Sequence, residues 1–101
     1  MDRLEQLRKF VAQRPSDPFP RYALALEHKS RGDAQAAADE LTALVKELPT
    51  YVPAFLMLGQ LHEAAGRTDA AKMVYQAGQL EARKQGNPHA LSELTSAFEA
   101  L

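Results

Sequence analysis

A chain of 101 residues has room for one compact core, and 46% hydrophobic with 25% charged residues is ordinary for a soluble globular protein. The absence of cysteine removes both a disulfide framework and a thiolate zinc site. The net charge of −1 comes from acids and bases mixed along the chain, without the basic clustering that phosphate neutralisation needs, so nucleic acid is not an expected partner.

The N-terminal stretch MDRLEQLRKF lacks the apolar core of a signal peptide, and no run approaches membrane-spanning length. The expectation is a cytoplasmic protein without a membrane partner. Alanine is abundant and isoleucine absent, a balance that favours helix. Residues 2–14 form the first expected helix, with Leu4, Leu7, Phe10 and Val11 on one side, ending before Pro15. Asp17 is placed to cap a helix opening at Pro18, in which Leu24, Ala25 and His28 precede a Gly32-Asp33 turn. Ala37, Leu41, Leu44, Val45 and Leu48 line the helix after that, and Pro49 closes it. Phe55, Leu58, Gly59 and His62 then fall on one helical face, Gly66 breaks the helix, and Thr68 or Asp69 can start the next. That next helix carries the stripe Ala71, Val74, Tyr75 and Gly78. Asn87 and Pro88 read as N-cap and first turn of a last helix, striped by Leu91, Leu94, Phe98 and Leu101.

These elements repeat. Pro15 and Pro49, Leu24 and Leu58, His28 and His62, and Gly32 and Gly66 are each separated by 34 residues. Ala36 and Ala70, Ala37 and Ala71, Ala43 and Ala77, and Glu47 and Glu81 share that offset without a gap. Small residues stand where two helices of a hairpin must approach: Ala25 and Gly59 on the first helix, Ala37 and Ala71 on the second.

The second copy reads Phe55-x2-Leu58-Gly59-x2-His62, then Ala71-x3-Tyr75; the first reads Arg21-x2-Leu24-Ala25-x2-His28, then Ala37-x3-Leu41, then Pro49. Both resemble the tetratricopeptide repeat, W-x2-L-G-x2-Y, A-x3-F, P, over residues 15 to about 83. The departures are Arg21 at an aromatic position, His for Tyr in both copies, and Arg83 where the closing proline would stand. The resemblance implies an all-α fold, a right-handed superhelix of antiparallel hairpins with about six helices. The chain then reads as a single domain, 1–101. Residues 2–14 are an N-terminal capping helix, 15–48 and 49–84 the two repeats, and 87–101 a C-terminal capping helix. The caps are needed because two repeats alone leave apolar faces open. With a two-residue insertion around Gln85-Gly86, Leu91, Leu94, Thr95 and Phe98 take the places of Phe55, Leu58, Gly59 and His62.

No catalytic, metal or cofactor site is expected. His28 and His62 occupy a core position of the hairpin, and His89 has no evident partner. Ser16, Ser30, Ser92 and Ser96 fit helix ends and polar faces, Asp39, Glu40 and Glu93 fit solvated faces, and Gly32 and Gly66 are single turn glycines. The resemblance implies a scaffold for protein–protein interaction, in which the first helix of each hairpin lines a concave groove for a peptide or a partner's helix. The groove residues are then Phe19, Tyr22, Leu26 and Lys29 from the first repeat and Pro53, Leu56, Gln60 and Glu63 from the second. The last helix adds His89, Ser92 and Ser96. Tyr22 and Leu26 stand where chaperone-binding members of the family carry the Lys and Asn of a carboxylate clamp, so an acidic C-terminal tail is not the expected ligand. The apolar strip of Phe19, Tyr22, Leu26 and Leu56 suggests a contact surface, unless a neighbouring helix of the same chain covers it. Self-association into a homodimer through Phe10, Val11 or the Leu91–Leu101 helix is the alternative, and an accessory domain of a longer protein is a third.

Overall fold

The computed structural model describes residues 2–101 and contains six helices: α1 (Arg3–Gln13), α2 (Pro18–Ser30), α3 (Ala34–Glu47), α4 (Pro53–Ala64), α5 (Thr68–Gln85) and α6 (Pro88–Glu99). Four of them start on a side-chain oxygen that accepts an otherwise unpaired amide. The pairs are Asp2 with Glu5 at 3.1 Å, Asp17 with Phe19 at 3.0 Å, Asp33 with Ala36 at 3.0 Å and Asn87 with Ala90 at 3.1 Å. Helix α5 starts at Thr68 without such a cap, because Arg67 stands where the first repeat has Asp33.

The turn inside each hairpin is the same structure made twice. Gly32 and Gly66 take φ of 82° and 77°, a left-handed conformation that glycine adopts without a Cβ penalty. The Asp33 amide donates to the His28 carbonyl at 2.9 Å, and the Arg67 amide to the His62 carbonyl at 2.8 Å. Each bond closes its helix in a Schellman turn. A third such turn at Gly86 ends α5, where the Asn87 amide reaches the Ala82 carbonyl at 2.9 Å. Arg83 explains why this turn falls late. Proline closes the first repeat at position 49, whereas nothing stops α5 at the matching point, so it runs 18 residues against 14 in α3.

The chain divides into two compact units, one up to Leu48 and one from Pro49 to Leu101. In the first, α2 packs on α3 and α1 packs on α2. Leu24, Ala25, Ala37, Ala38, Leu41 and Leu44 form its core, with Leu7 from α1. Phe10 does not join Leu7 inside. It is 51% exposed, although it shares the apolar side of α1 with Leu7. Arg21, at the aromatic position, is buried along its stem. Its Nη1 donates to Glu47 Oε1 at 3.1 Å and to the Pro15 carbonyl at 3.4 Å, so an ion pair with the end of α3 takes the place of a ring.

In the second unit α5 lies between α4 and α6 in the contact order, packing on both, and α4 also touches α6. Tyr75 is fully buried at its centre, beside Phe55, Leu58 and Leu94 in the core. Its ring lies against Gly59 so closely that a Cβ built there would overlap the ring carbons. A Cβ on Gly78 would come within 2.8 Å of Phe55 Cβ and 3.0 Å of Leu94 Cδ1. Gln79 Nε2 donates to Thr95 Oγ1 at 3.0 Å and ties α5 to α6.

The two repeats solve this close approach with different pairs. Ala25 and Leu41 stand 34 residues before Gly59 and Tyr75, and both are buried. The smaller residue therefore faces the larger ring in the second copy, and the alanine faces the leucine position in the first. Gly59→Ala gains about 1 kcal/mol of helix propensity. It loses more to overpacking, for an expected net cost of about 2 kcal/mol. Tyr75→Leu alone leaves a cavity and costs about 3 kcal/mol. The double variant, which reproduces the pair of the first repeat, is expected to recover at least about 1 kcal/mol of the summed loss. Urea denaturation of the four proteins in the cycle checks this, and strict additivity would show that the pair is not in steric contact.

Candidate functional site

The expected groove residues of the first repeat lie on the side of α2 opposite its core. Arg21, Leu24, Ala25 and His28 face inward, while Phe19 is 65% and Leu26 37% exposed. Tyr22 is half-buried between them, and Lys29 is exposed one turn on. The spacing i, i+3, i+7 and i+10 puts these four along one stripe. On α4, Pro53 and Gln60 are exposed and Leu56 is half-buried.

Glu63 is engaged in a way the sequence did not reveal. The Tyr75 hydroxyl, reaching out from the core, donates to Glu63 Oε2. Burial and this carboxylate together push the phenol well above its ordinary value. Glu63 is thus fixed by its own hairpin. Its second oxygen is the one that remains for an outside group. On α6, His89 is exposed and its Nε2 lies 3.1 Å from Glu93 Oε1 one turn away, with Ser92 and Ser96 exposed nearby.

The two repeated histidines have separate environments. His28 is buried in the first hairpin. His62 is half-buried, and its Nδ1 accepts from Arg67 Nε at 3.2 Å. This bond assigns the proton of the neutral ring to Nε2. Desolvation, with the Arg67 charge adding to it, holds its pKa below the ordinary 6.5. Among the described residues no group of three or more His, Cys, Asp or Glu converges as metal ligands do. No helix there is long and apolar enough to cross a membrane.

Two exposed apolar features were not expected from the stripes. Met73 and Leu80 are 71% and 60% exposed on α5. The repeat itself carried the signal, because Asp39 and Lys46 occupy the matching places on α3. The other is a cleft of about 320 Å³ where α1 meets α2, with Phe10 and Phe19 at its mouth. Its signal was the spacing of Arg3, Leu7 and Phe10 on one face of α1, with Arg14 following at its end.

Hairpins of this geometry, repeated at this period, define a helical-repeat protein. The family model of the tetratricopeptide repeat matches residues 29–94, and the chain belongs to that family. A curated TPR repeat-containing protein of Pseudomonas aeruginosa is 29% identical over 92 residues, 91% of this chain and 88% of that protein. The solution NMR structure of a tetratricopeptide repeat domain protein from Salinibacter ruber is 42% identical, with a TM-score of 0.81. That match covers 85% of this chain and 87% of the other. A protein of Bordetella parapertussis shares the fold at 23% identity, with a TM-score of 0.79 over 99% of this chain and 87% of that one. The family's general role is that of a non-catalytic scaffold for protein–protein interaction.

The lowered pKa of His62 has a consequence for stability. Folding favours the neutral ring, so its contribution is complete above pH 6.5 and is lost as the pH falls from 6.5 through the folded-state value. The urea midpoint of the wild type is therefore expected to drop between pH 7 and pH 5 by more than that of His62→Gln. Equal drops in the two proteins would remove His62 from the account.

Proposed function

We propose that the chain is a protein–protein interaction scaffold without catalytic activity, acting in the cytoplasm, that holds a peptide or a partner's helix against the outward faces of its first-helix positions. On α2 the contacts are Phe19, Tyr22, Leu26 and Lys29; on α4 they are Pro53, Leu56, Gln60 and Glu63. The observation that carries this reading is the exposed stripe of α2. A phenylalanine and a leucine stand in water on the face opposite a packed core, with a half-buried tyrosine between them. Apolar area of this kind gains about 25 cal/mol per Å² when a partner covers it. The aromatic members supply the rigid anchors that dominate binding faces. Lys29 at one end and the free oxygen of Glu63 give the faces polar ends that select register.

A homodimer is the second reading, supported by the half-buried Leu91, Phe98 and Leu101 of the last helix. The two readings separate by experiment. Peptides selected from a random displayed library on the wild-type protein are expected to lose at least about tenfold in affinity on Leu26→Lys or Leu56→Lys. Both variants should keep their helical circular dichroism. Binding that survives both substitutions would refute the assignment of these faces. Light scattering over a range of concentrations tests the dimer, which Phe98→Asp should dissociate.

A further inference from the structure

We propose that the cleft between α1 and α2 is a second peptide-binding site, sharing only Phe19 with the outward stripe of α2, and that its ligand is an extended acidic segment with one large apolar anchor. The floor and walls are apolar: Leu7 and Phe10 from α1, Ala23 and Phe19 from α2. Leu7 is buried, whereas Phe10 and Phe19 are 51% and 65% exposed, so two rings stand at the mouth of an apolar recess without covering it. The volume of about 320 Å³ lies in the range that takes one large side chain with part of its backbone.

Charge selects the ligand. Arg3, Leu7 and Phe10 follow one another at i, i+4 and i+7 along α1, and Arg14, the residue that caps its C-terminus, lines the same cleft, so an arginine stands at each end of the apolar pair. At the rise of an α-helix the Cα atoms of Arg3 and Arg14 are about 16 Å apart along the axis. An extended chain covers that length in about five residues. Arg3 Nε already lies 3.3 Å from Glu27 Oε1, but Arg14 pairs with no carboxylate among the described residues. Asp17 is the acid at the rim, and its Oδ1 is held by the Phe19 amide as a helix cap. Arg8 and Lys9 add to the same helix, giving residues 2–14 four cations against the carboxylates of Asp2 and Glu5 in a chain whose net charge is −1. The matching ligand carries a leucine, phenylalanine or tryptophan that enters between the two rings. Its acidic residues lie two or three positions to either side, one of them on Arg14.

The test uses the full chain carrying Leu26→Lys and Leu56→Lys, which disables the faces assigned above at residues that do not line the cleft and so keeps the two sites distinguishable. A random decapeptide library is selected on this protein, and the recovered peptides are synthesised with a fluorescent label. Acidic residues flanking an apolar anchor are expected. Affinity should fall at least about tenfold on Phe10→Ala and about fivefold on Arg14→Glu, and should weaken as salt rises. Replacing the peptide's acids by lysine should restore binding to Arg14→Glu and abolish it on the parent. Both residues are exposed, and unchanged circular dichroism in Arg14→Lys, which should bind within about twofold of the parent, controls for the fold. Failure to recover peptides overturns the proposal. So does recovery of peptides indifferent to Phe10 and Arg14, or of basic ones.

Discussion

The contact on which the second hairpin depends is the ring of Tyr75 pressed against the bare backbone of Gly59. Tyr75, at 0% exposure, is the largest fully buried side chain among the described residues, and it fits only because position 59 has no side chain. The same residue reaches the surface through its hydroxyl, which bonds Glu63. One side chain thus sets the separation of α4 and α5, fills the space between them and fixes an acid on the outward face. A binding face built on such a helix inherits its geometry from the core behind it, so the spacing of the partner contacts follows from packing.

The fold was legible because the features that specify it are local and repeat. Glycines with positive φ at 32 and 66, a proline at 49 and alanine or glycine at the crossing positions each have one structural meaning, and a gapless period doubles every one of them. Helix starts at Pro18 and Pro88 followed from Asp17 and Asn87 for the same reason. Less legible was anything decided by what a side chain reaches across the fold. Phe10 shares a helical face with Leu7 but lies one turn farther along α1, where the packing opens into a cleft. Glu63 looked like a free surface acid until the tertiary structure brought the Tyr75 hydroxyl to it. Periodicity assigns a residue to a face; it does not say where along that face the neighbouring helix stops.

The candidate site divides the same way. That α2 carries an outward stripe from Phe19 to Lys29 could be read by subtraction, once the core positions were taken out of the repeat. The identity of the partner could not, because family membership is carried by core and turn residues that a ligand never touches. What distinguishes the two repeats of this chain on their surfaces lies in residues free to vary without harm to the hairpin. Met73 and Leu80, in place of Asp39 and Lys46, are of that kind.

Arg21 and Glu47 have counterparts at Phe55 and Glu81, and there the acid turns to Gln85 Nε2 at 3.4 Å instead. The acid is common to both copies, yet only in the first does it neutralise a cation held inside the hairpin. Removing Glu47 would leave a buried guanidinium with a carbonyl as its remaining partner, while Glu81 has no such dependent. A consensus repeat made by averaging the two copies position by position would therefore fail twice, by setting Arg beside a residue chosen for Phe and Ala beneath a ring chosen for Gly. In building longer arrays from this chain, the unit of exchange is the pair.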